Sequence, residues 1–228
     1  MTIPRIPSYP MPTPDQLSPG PADWRPDPDR AALLIHDMQR YFVGFFPPGR
    51  SPTAELVANL VRVREAAGAA GVPVIYSAQP GRVGRAERGL LHDLWGPGMS
   101  DEPGTGDIIA ELTPGPDDFV VTKHRYSAFF RTGLAALLAA LGRDQLIVGG
   151  VFAHIGCLFT AGDAFSHDLE TFLLADAVAD FSLDDHLMAL GYAARRCAVT
   201  VTTDQVRAAL GGRPQPAGAP ARRARPAR

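Results

Sequence analysis

The chain has 228 residues, of which 46% are hydrophobic and 20% are charged, with a formal net charge of -2. This length and composition supply enough apolar surface for one sizeable domain with a buried core. The near balance of charge excludes a general basic surface for nucleic acid, and no stretch reaches the roughly 18 apolar residues that a membrane span requires.

The first 29 residues are rich in proline, with six prolines among the first twenty positions. They predict an extended arm that packs on the body of the protein or on a partner subunit, with Trp24 as its one large anchor. No basic segment followed by an apolar one is present in this arm, so a secretory signal peptide is not indicated.

Residues 30–210 contain six short apolar runs that are rich in branched side chains. These runs alternate with segments of helical periodicity. This alternation predicts a parallel sheet covered by helices on both faces. The predicted strands are 31–36, 72–77, 119–121, 145–151, 171–175 and 198–202. The predicted helices are 52–70, 107–112, 134–141, 152–165 and one that Ser182 caps.

Three further segments are predicted without regular structure. The loop after the first strand is crowded with aromatic side chains, including Phe42 and Phe46, which either wall a pocket or pack in the core or a subunit interface. Residues 80–106 are glycine-rich and irregular, as long loops that bind ligands often are. Residues 211–228 combine Gly, Pro, Ala and Arg, a composition that predicts a disordered basic tail.

Two charged residues follow predicted strands, Asp37 after the first and Lys123 after the third. Because ligands bind beyond the carboxyl ends of parallel strands, we expect both side chains in one crevice. Burial would raise the pKa of the Asp37 carboxyl and a nearby Lys123 would lower it, so the sequence leaves the resting protonation state open. A helix N-cap or a structural ion pair remains the alternative.

Several common catalytic patterns are missing from the sequence. No G-x-S-x-G, H-E-x-x-H, C-x-x-C or G-x-G-x-x-G motif occurs, so a serine nucleophile, a metal and a dinucleotide cofactor have no support. Cys157 lies near the start of the helix predicted from residue 152, and a helix N-terminus can lower a thiol pKa. With Cys197 as the only other cysteine, a disulfide framework is excluded and a reducing cytoplasm is expected.

Six motifs in order resemble the isochorismatase-like hydrolases, over about residues 3 to 207. They read LLIHDMQRYF, SAQPG followed by Arg88, LHDLWGPGM, TKHRYSAFF, GVFAHIGCL and LLADAVADFS. The resemblance implies a Rossmann-like three-layer α/β sandwich with a six-stranded parallel sheet. It also implies a homodimer or larger oligomer, and a cis peptide between Val151 and Phe152.

The same resemblance separates two branches of the family. Nicotinamidase-like members use a cysteine in a T-H-x-C pattern, and the sequence A-H-I-G-C places Gly156 at that point. Cys157 comes one position later, which rotates a helical side chain by about 100°. The chain therefore resembles the branch without a nucleophile, which hydrolyses the enolpyruvyl vinyl ether of isochorismate or 2-amino-2-deoxyisochorismate to release pyruvate, without metal or cofactor.

Roles for individual residues follow from this resemblance. Asp37 is expected to act as general acid, and Lys123, Gln79 and Arg88 to hold the carboxylates and polar substituents of a chorismate-derived substrate. The backbone at Gly156 is expected to bind an anion. The apolar face of the substrate is expected to meet aromatic residues, namely Trp95, Phe42 or Phe46, and Phe152.

Two departures from the family pattern leave the choice of substrate open. His124 stands where relatives carry tryptophan, and Phe152 replaces a tyrosine whose hydroxyl could bind substrate. No carrier-protein module follows residue 207, which slightly favours the amino substrate. The sequence also allows two other functions: an amidase that uses Cys157 as nucleophile, and a non-catalytic partner protein of a biosynthetic assembly.

Overall fold

A single parallel sheet organises the protein. The computed structural model describes residues 3–211. Its six strands lie in the order β3-β2-β1-β4-β5-β6, and every neighbouring pair is parallel. The strands are β1 Ala31–His36, β2 Val74–Ala78, β3 Phe119–Thr122, β4 Gln145–Val151, β5 Glu170–Ala179 and β6 Val199–Val201. Strand order reverses between β1 and β4, so a crevice opens at their carboxyl ends. The expected fold class is confirmed.

Helices cover both faces of this sheet. They are α1 Arg40–Val43, α2 Thr53–Ala70, α3 Arg85–Arg88, α4 Leu91–Trp95, α5 Leu134–Ala140, α6 Leu158–Ser166, α7 Leu183–Arg196 and α8 Thr203–Gly211. Short 3-10 turns span Pro14–Gln16 and Ala110–Leu112, and one turn of π-helix spans Ala153–Cys157. Within residues 3–211, none of the helices has the length and apolarity to cross a membrane.

Strand β1 shows why its sequence is apolar without interruption. Leu33 and Ile35 pack in the core cluster that contains Leu56 and Leu60 of α2. Leu34, between them, packs in the opposite cluster under α5, α6 and α7. Every residue of β1 is buried because both faces of the strand are covered. The strand's carboxyl end is thereby held rigidly where the crevice opens.

The structure corrects several predicted element bounds. β5 continues through Ala179, although the predicted strand ended at residue 175. The pairing of β4 with β5 shifts register between Val148 and Gly150, and this irregularity lets β5 run further. Residues 80–106 contain the short helices α3 and α4, and helix α8 beyond β6 was missed. The helix predicted from Phe152 begins instead with the π-helical turn, and α6 starts at Leu158.

The N-terminal arm packs on the body of its own chain. Its buried anchors are Ile6 and Tyr9, whereas Trp24, expected as the only large anchor, is partly exposed. The Tyr9 hydroxyl accepts a hydrogen bond from the Asp180 amide at 2.7 Å and lies 3.2 Å from the His186 Nδ1. Of the predicted tail 211–228, Gly211 ends α8 and the remainder lies outside the described residues.

Candidate active site

A cleft of about 480 Å³, open to solvent, lies at the carboxyl ends of β1, β2, β3 and β4. Its polar residues are Asp37, Gln79, Arg88, Lys123 and Tyr126. Its apolar walls comprise Ile3, Phe42, Leu91, Trp95, Val151, Phe152, Ile155 and Phe181, and Gly156 completes the lining. The lining includes eight of the nine site residues expected from the sequence, and Phe46 is the exception.

Strand pairing brings the polar groups together. Asp37 follows β1 in a left-handed backbone conformation with φ 50°, which an aspartate adopts only at some cost in energy. Its amide donates to the Ser77 carbonyl of the neighbouring strand β2 at 3.1 Å. Lys123 follows β3, and its amide donates to the Ala78 carbonyl at 3.0 Å. The ladder between adjacent strands therefore fixes where both side chains begin.

Asp37 and Lys123 form a buried ion pair at the floor of the cleft. Lys123 Nζ lies 2.7 Å from Asp37 Oδ2, and the two side chains are 1% and 5% exposed. Lys123 Nζ also donates to the carbonyls of Arg125 at 2.9 Å and Tyr126 at 3.2 Å. An ammonium has three protons to donate, and these three acceptors use them all. In this state Lys123 holds Asp37 and has no proton left for a substrate carboxylate.

The protonation of Asp37 follows from its surroundings. Burial raises the pKa of this carboxyl, but the Lys123 charge and the hydrogen bonds from Lys123 and Ser77 lower it by more. The Ser77 hydroxyl donates to Asp37 Oδ1 at 2.6 Å. The net result is a pKa below the usual value, so Asp37 is ionised at neutral pH in the free protein.

Gln79 and Arg88 lie at the polar side of the cleft. Gln79 Nε2 donates to Asp37 Oδ2 at 3.3 Å, and the Gln79 backbone exchanges two hydrogen bonds of 2.8 Å with the buried Gln39 side chain. Arg88 Nε donates to the Gly96 carbonyl at 2.5 Å. Among residues 3–211 no carboxylate pairs with Arg88, so its cation is available to an anionic ligand.

Aromatic rings form the opposite wall. The Phe152 ring lies 4.8 Å from Phe181 and 5.9 Å from Phe42, all three on the cleft. Phe46 stacks on Phe152 at 5.9 Å but lies behind it, outside the lining. The Trp95 Nε1 donates to the Tyr126 hydroxyl at 2.7 Å. Because the wall residue at 152 is phenylalanine, this side of the cleft offers no hydroxyl from that position.

In the turn after β4, the backbone faces the cleft and the cysteine side chain is buried in the core. The Val151–Phe152 peptide is cis, as the resemblance implied. Gly156 lines the cleft, whereas Cys157 is fully buried in the core cluster on the other side. Burial, with the negative charges of Asp37 and Asp180, holds the pKa of the Cys157 thiol well above its usual value. This cysteine is therefore neither exposed to a substrate nor ionised at neutral pH.

Sequence reasoning missed several residues of the site. Tyr126 and Phe181 are the largest of them, and Ile3 of the arm and Leu91 of α4 also line the cleft. Tyr126 belongs to the same loop as Lys123, so its proximity was the one available signal. Phe181 reaches the cleft because β5 is longer than predicted. Over residues 3–211 no cluster of three His, Cys, Asp or Glu side chains is placed to hold a metal ion.

The chain matches one protein family model and is similar in sequence to several known proteins. The isochorismatase domain family model matches residues 31–205. The chain is 52% identical over 206 residues to an isochorismatase of Bacillus subtilis (strain 168), covering 90% of this chain but 66% of that protein, just under two thirds. It is 52% identical over 204 residues to the phenazine biosynthesis protein PhzD1 of Pseudomonas aeruginosa, covering 90% of this chain and 98% of that protein.

A solved structure shares the fold. A cysteine hydrolase from Pseudomonas syringae pv. phaseolicola 1448A superimposes with a TM-score of 0.75 and 27% sequence identity. The superposition covers 82% of this chain and 95% of that chain.

Proposed function

The chain belongs to the isochorismatase family, and on that premise we propose that it hydrolyses an enolpyruvyl vinyl ether without a cofactor. The substrate is isochorismate or 2-amino-2-deoxyisochorismate, and the products are pyruvate and 2,3-dihydro-2,3-dihydroxybenzoate or trans-2,3-dihydro-3-hydroxyanthranilate. Such a reaction serves siderophore or phenazine-like secondary-metabolite biosynthesis. One observation carries the proposal: a buried Asp37–Lys123 pair faces a cleft whose lining contains no serine or cysteine.

In the proposed reaction Asp37 transfers a proton to the terminal methylene of the vinyl ether, which becomes a methyl group. The carbon that bears the ether oxygen becomes an oxocarbenium ion, and the Asp37 carboxylate lies close enough to stabilise it. Water bonds to that carbon and returns one proton to Asp37. The resulting hemiketal passes its hydroxyl proton to the ring oxygen as the carbon–oxygen bond breaks. Pyruvate and the ring alcohol leave, and Asp37 is protonated again.

Asp37 must gain a proton before this cycle starts, because the free protein holds it ionised. A substrate carboxylate bound at Arg88 and Gln79 places a second negative charge near Asp37, which raises the Asp37 pKa. The aromatic rings that line the cleft exclude water from around the bound substrate, and this also raises the Asp37 pKa. Lys123 limits this rise and keeps Asp37 in place, so its role in the proposal is through Asp37 rather than through the substrate.

The remaining groups divide between polar and apolar recognition. Arg88 supplies its cation and Gln79 a side-chain amide to the substrate carboxylates. The backbone at Gly156 supplies polar groups from the turn after β4. Phe42, Phe152 and Trp95 pack against the ring. Phe46 supports Phe152 from behind and makes no contact with the substrate.

We also propose that the protein acts as a homodimer in the cytoplasm. Large apolar side chains stand exposed on α6 and α7, with Phe159 55% and Tyr192 51% exposed, and such surfaces are common at subunit interfaces. Cys157 and Cys197 are both free thiols, which suits a reducing compartment. Analytical ultracentrifugation measures the oligomeric state directly.

The first experiment offers isochorismate and 2-amino-2-deoxyisochorismate separately to the purified protein and measures released pyruvate with lactate dehydrogenase. We expect release from at least one substrate, little change in Cys157→Ala, and loss of release in Asp37→Asn. The comparison of the two substrates identifies the preferred one. Absence of pyruvate from both would refute the vinyl-ether reaction, and loss of activity in Cys157→Ala would favour a cysteine-dependent amidase instead.

A further inference from the structure

The absence of a side chain at position 156 has a structural cause. A Cβ built on Gly156 would overlap the His36 Cε1 and would lie 2.9 Å from His36 Nε2 and 3.0 Å from Nδ1. Carbon atoms in proteins do not approach heavy atoms of a neighbouring residue so closely. We propose that His36 is a determinant of the reaction class, because its ring fills the space that a nucleophile at position 156 would need.

The His36 ring has no route out of this position. The side chain is fully buried, and its Nδ1 donates a hydrogen bond to the Val151 carbonyl at 2.9 Å. Its backbone is equally confined, because a Cβ on Gly150 of the adjacent strand would overlap the His36 carbonyl oxygen. A side chain added at 156 therefore cannot push the ring aside without breaking strand packing and the bond to Val151.

The His36 ring is also uncharged at neutral pH, as expected for a buried side chain that acts only by occupying space. Burial lowers the His36 pKa to about 4, so the ring is neutral at neutral pH. With Nδ1 donating to Val151, Nε2 carries a lone pair, and no described residue donates a hydrogen bond to it. A role in proton transfer is not indicated, because His36 is absent from the cleft lining.

The space that His36 fills borders the reacting groups. His36 Nδ1 lies 3.7 Å from Asp37 Oδ1, and Gly156 lines the cleft together with Asp37 and Lys123. A thiol at 156, in a protein with a smaller residue at 36, would lie beside a carboxylate that can take its proton and an ammonium that favours the thiolate. The fold itself accepts such chemistry, since the superimposed Pseudomonas syringae protein is described as a cysteine hydrolase.

This inference depends on packing and holds whether or not the proposed vinyl-ether reaction is correct. Its first test is a thermal denaturation series in the full chain. Gly156→Ala adds one methyl group against the ring, and Gly162→Ala is the matched control, because no heavy atom lies within 4 Å of a Cβ at Gly162. We expect Gly156→Ala to lower Tm by roughly 5 °C or more, and Gly162→Ala to leave Tm unchanged or raise it.

The partner variant is His36→Asn, which retains an N–H donor for the Val151 carbonyl but removes the ring. We expect His36→Asn/Gly156→Ala to have a Tm no lower than His36→Asn alone. A double variant whose loss equals the sum of the two single losses would overturn the proposal. If Gly156→Ala does not fold, a folded double variant supports the proposal, and failure of both overturns it.

The second test asks whether the vacated space opens to the cleft. Iodoacetamide is added to native His36→Asn/Gly156→Cys, in which a thiolate displaces iodide, and modified sites are identified by mass spectrometry. We expect the introduced thiol to react at least about tenfold faster than Cys157, whose burial protects it. Equal, slow modification of both thiols would show that the space does not reach the cleft, and would overturn the assignment of His36 as a determinant of reaction class.

Discussion

Replacement of Lys123 by methionine removes the ammonium from the buried pair and keeps most of the side-chain volume. Lys123 is 1% exposed and Asp37 5%, and their atoms are 2.7 Å apart, so little water can take the place of the lost charge. Breaking a buried pair at one partner costs about 3–5 kcal/mol, because the other charge is left without compensation. We expect Lys123→Met to lose stability in that range at pH 7, measured by urea denaturation.

The pH dependence of this loss has a definite sign. In the parent protein the Asp37 pKa is lowered, so its contribution to stability is present above the unfolded pKa and disappears as pH falls through the folded one. Without the ammonium, burial dominates and raises the Asp37 pKa above the unfolded value. Stability of Lys123→Met should then fall as pH rises above about 4, by at most about 1.4 kcal/mol per pH unit.

The control is the double variant Asp37→Asn/Lys123→Met, in which both charges are absent. Neutral replacement of a buried pair is often close to neutral in stability, so we expect the double variant to recover most of the loss and to show no such pH dependence. If Lys123→Met costs less than 1 kcal/mol, or if the two single losses add, the two groups are not the coupled pair that the distances indicate.

Three further predictions follow from the buried groups. Cys157→Ala should keep pyruvate release within about twofold, because the thiol lies outside the cleft; a loss beyond about tenfold would contradict its exclusion. Tyr9→Phe should lower the free energy of unfolding by about 1–2 kcal/mol in urea, because it leaves the Asp180 amide without its acceptor; an unchanged midpoint would contradict the anchoring role of the arm. Burial lowers the pKa of His36 and of His186 to about 4 each, so stability is full above the unfolded pKa and falls as pH drops below it, by about 3 kcal/mol per histidine near pH 4. Matched denaturation curves at pH 7 and pH 5 that coincide would contradict this assignment.

The sequence predicted the sheet well because each strand is marked by a short run of neighbouring apolar residues. β1 and β4 have the predicted bounds Ala31–His36 and Gln145–Val151, since strands buried on both faces are continuously apolar and end abruptly at a change in residue type. The positions of Asp37 and Lys123 in one crevice then follow from parallel topology. Helices α3 and α4 were missed because they span only four and five residues and lack side-chain caps.

The parts of the site that the sequence could not predict depend on long-range packing. Phe42 and Phe46 are four residues apart and equally aromatic, yet only Phe42 reaches the cleft, because Phe152 lies between Phe46 and the space. The ionised state of Asp37 depends on distances to Ser77 and Lys123 that no spacing rule supplies. The overlap of His36 with position 156 joins residues 120 positions apart, and only the register of β1 on β4 creates it.

The most direct test of the account is single-turnover hydrolysis in D2O, followed by NMR of the pyruvate methyl group, with the parent protein and Asp37→Asn side by side. If Asp37 delivers the proton to the terminal methylene, the parent protein releases pyruvate with one deuterium in its methyl group. Asp37→Asn should then release it at least about a hundredfold more slowly, as expected for the loss of a general acid. Release of singly deuterated pyruvate by folded Asp37→Asn at a rate within tenfold of the parent would contradict the central role of Asp37.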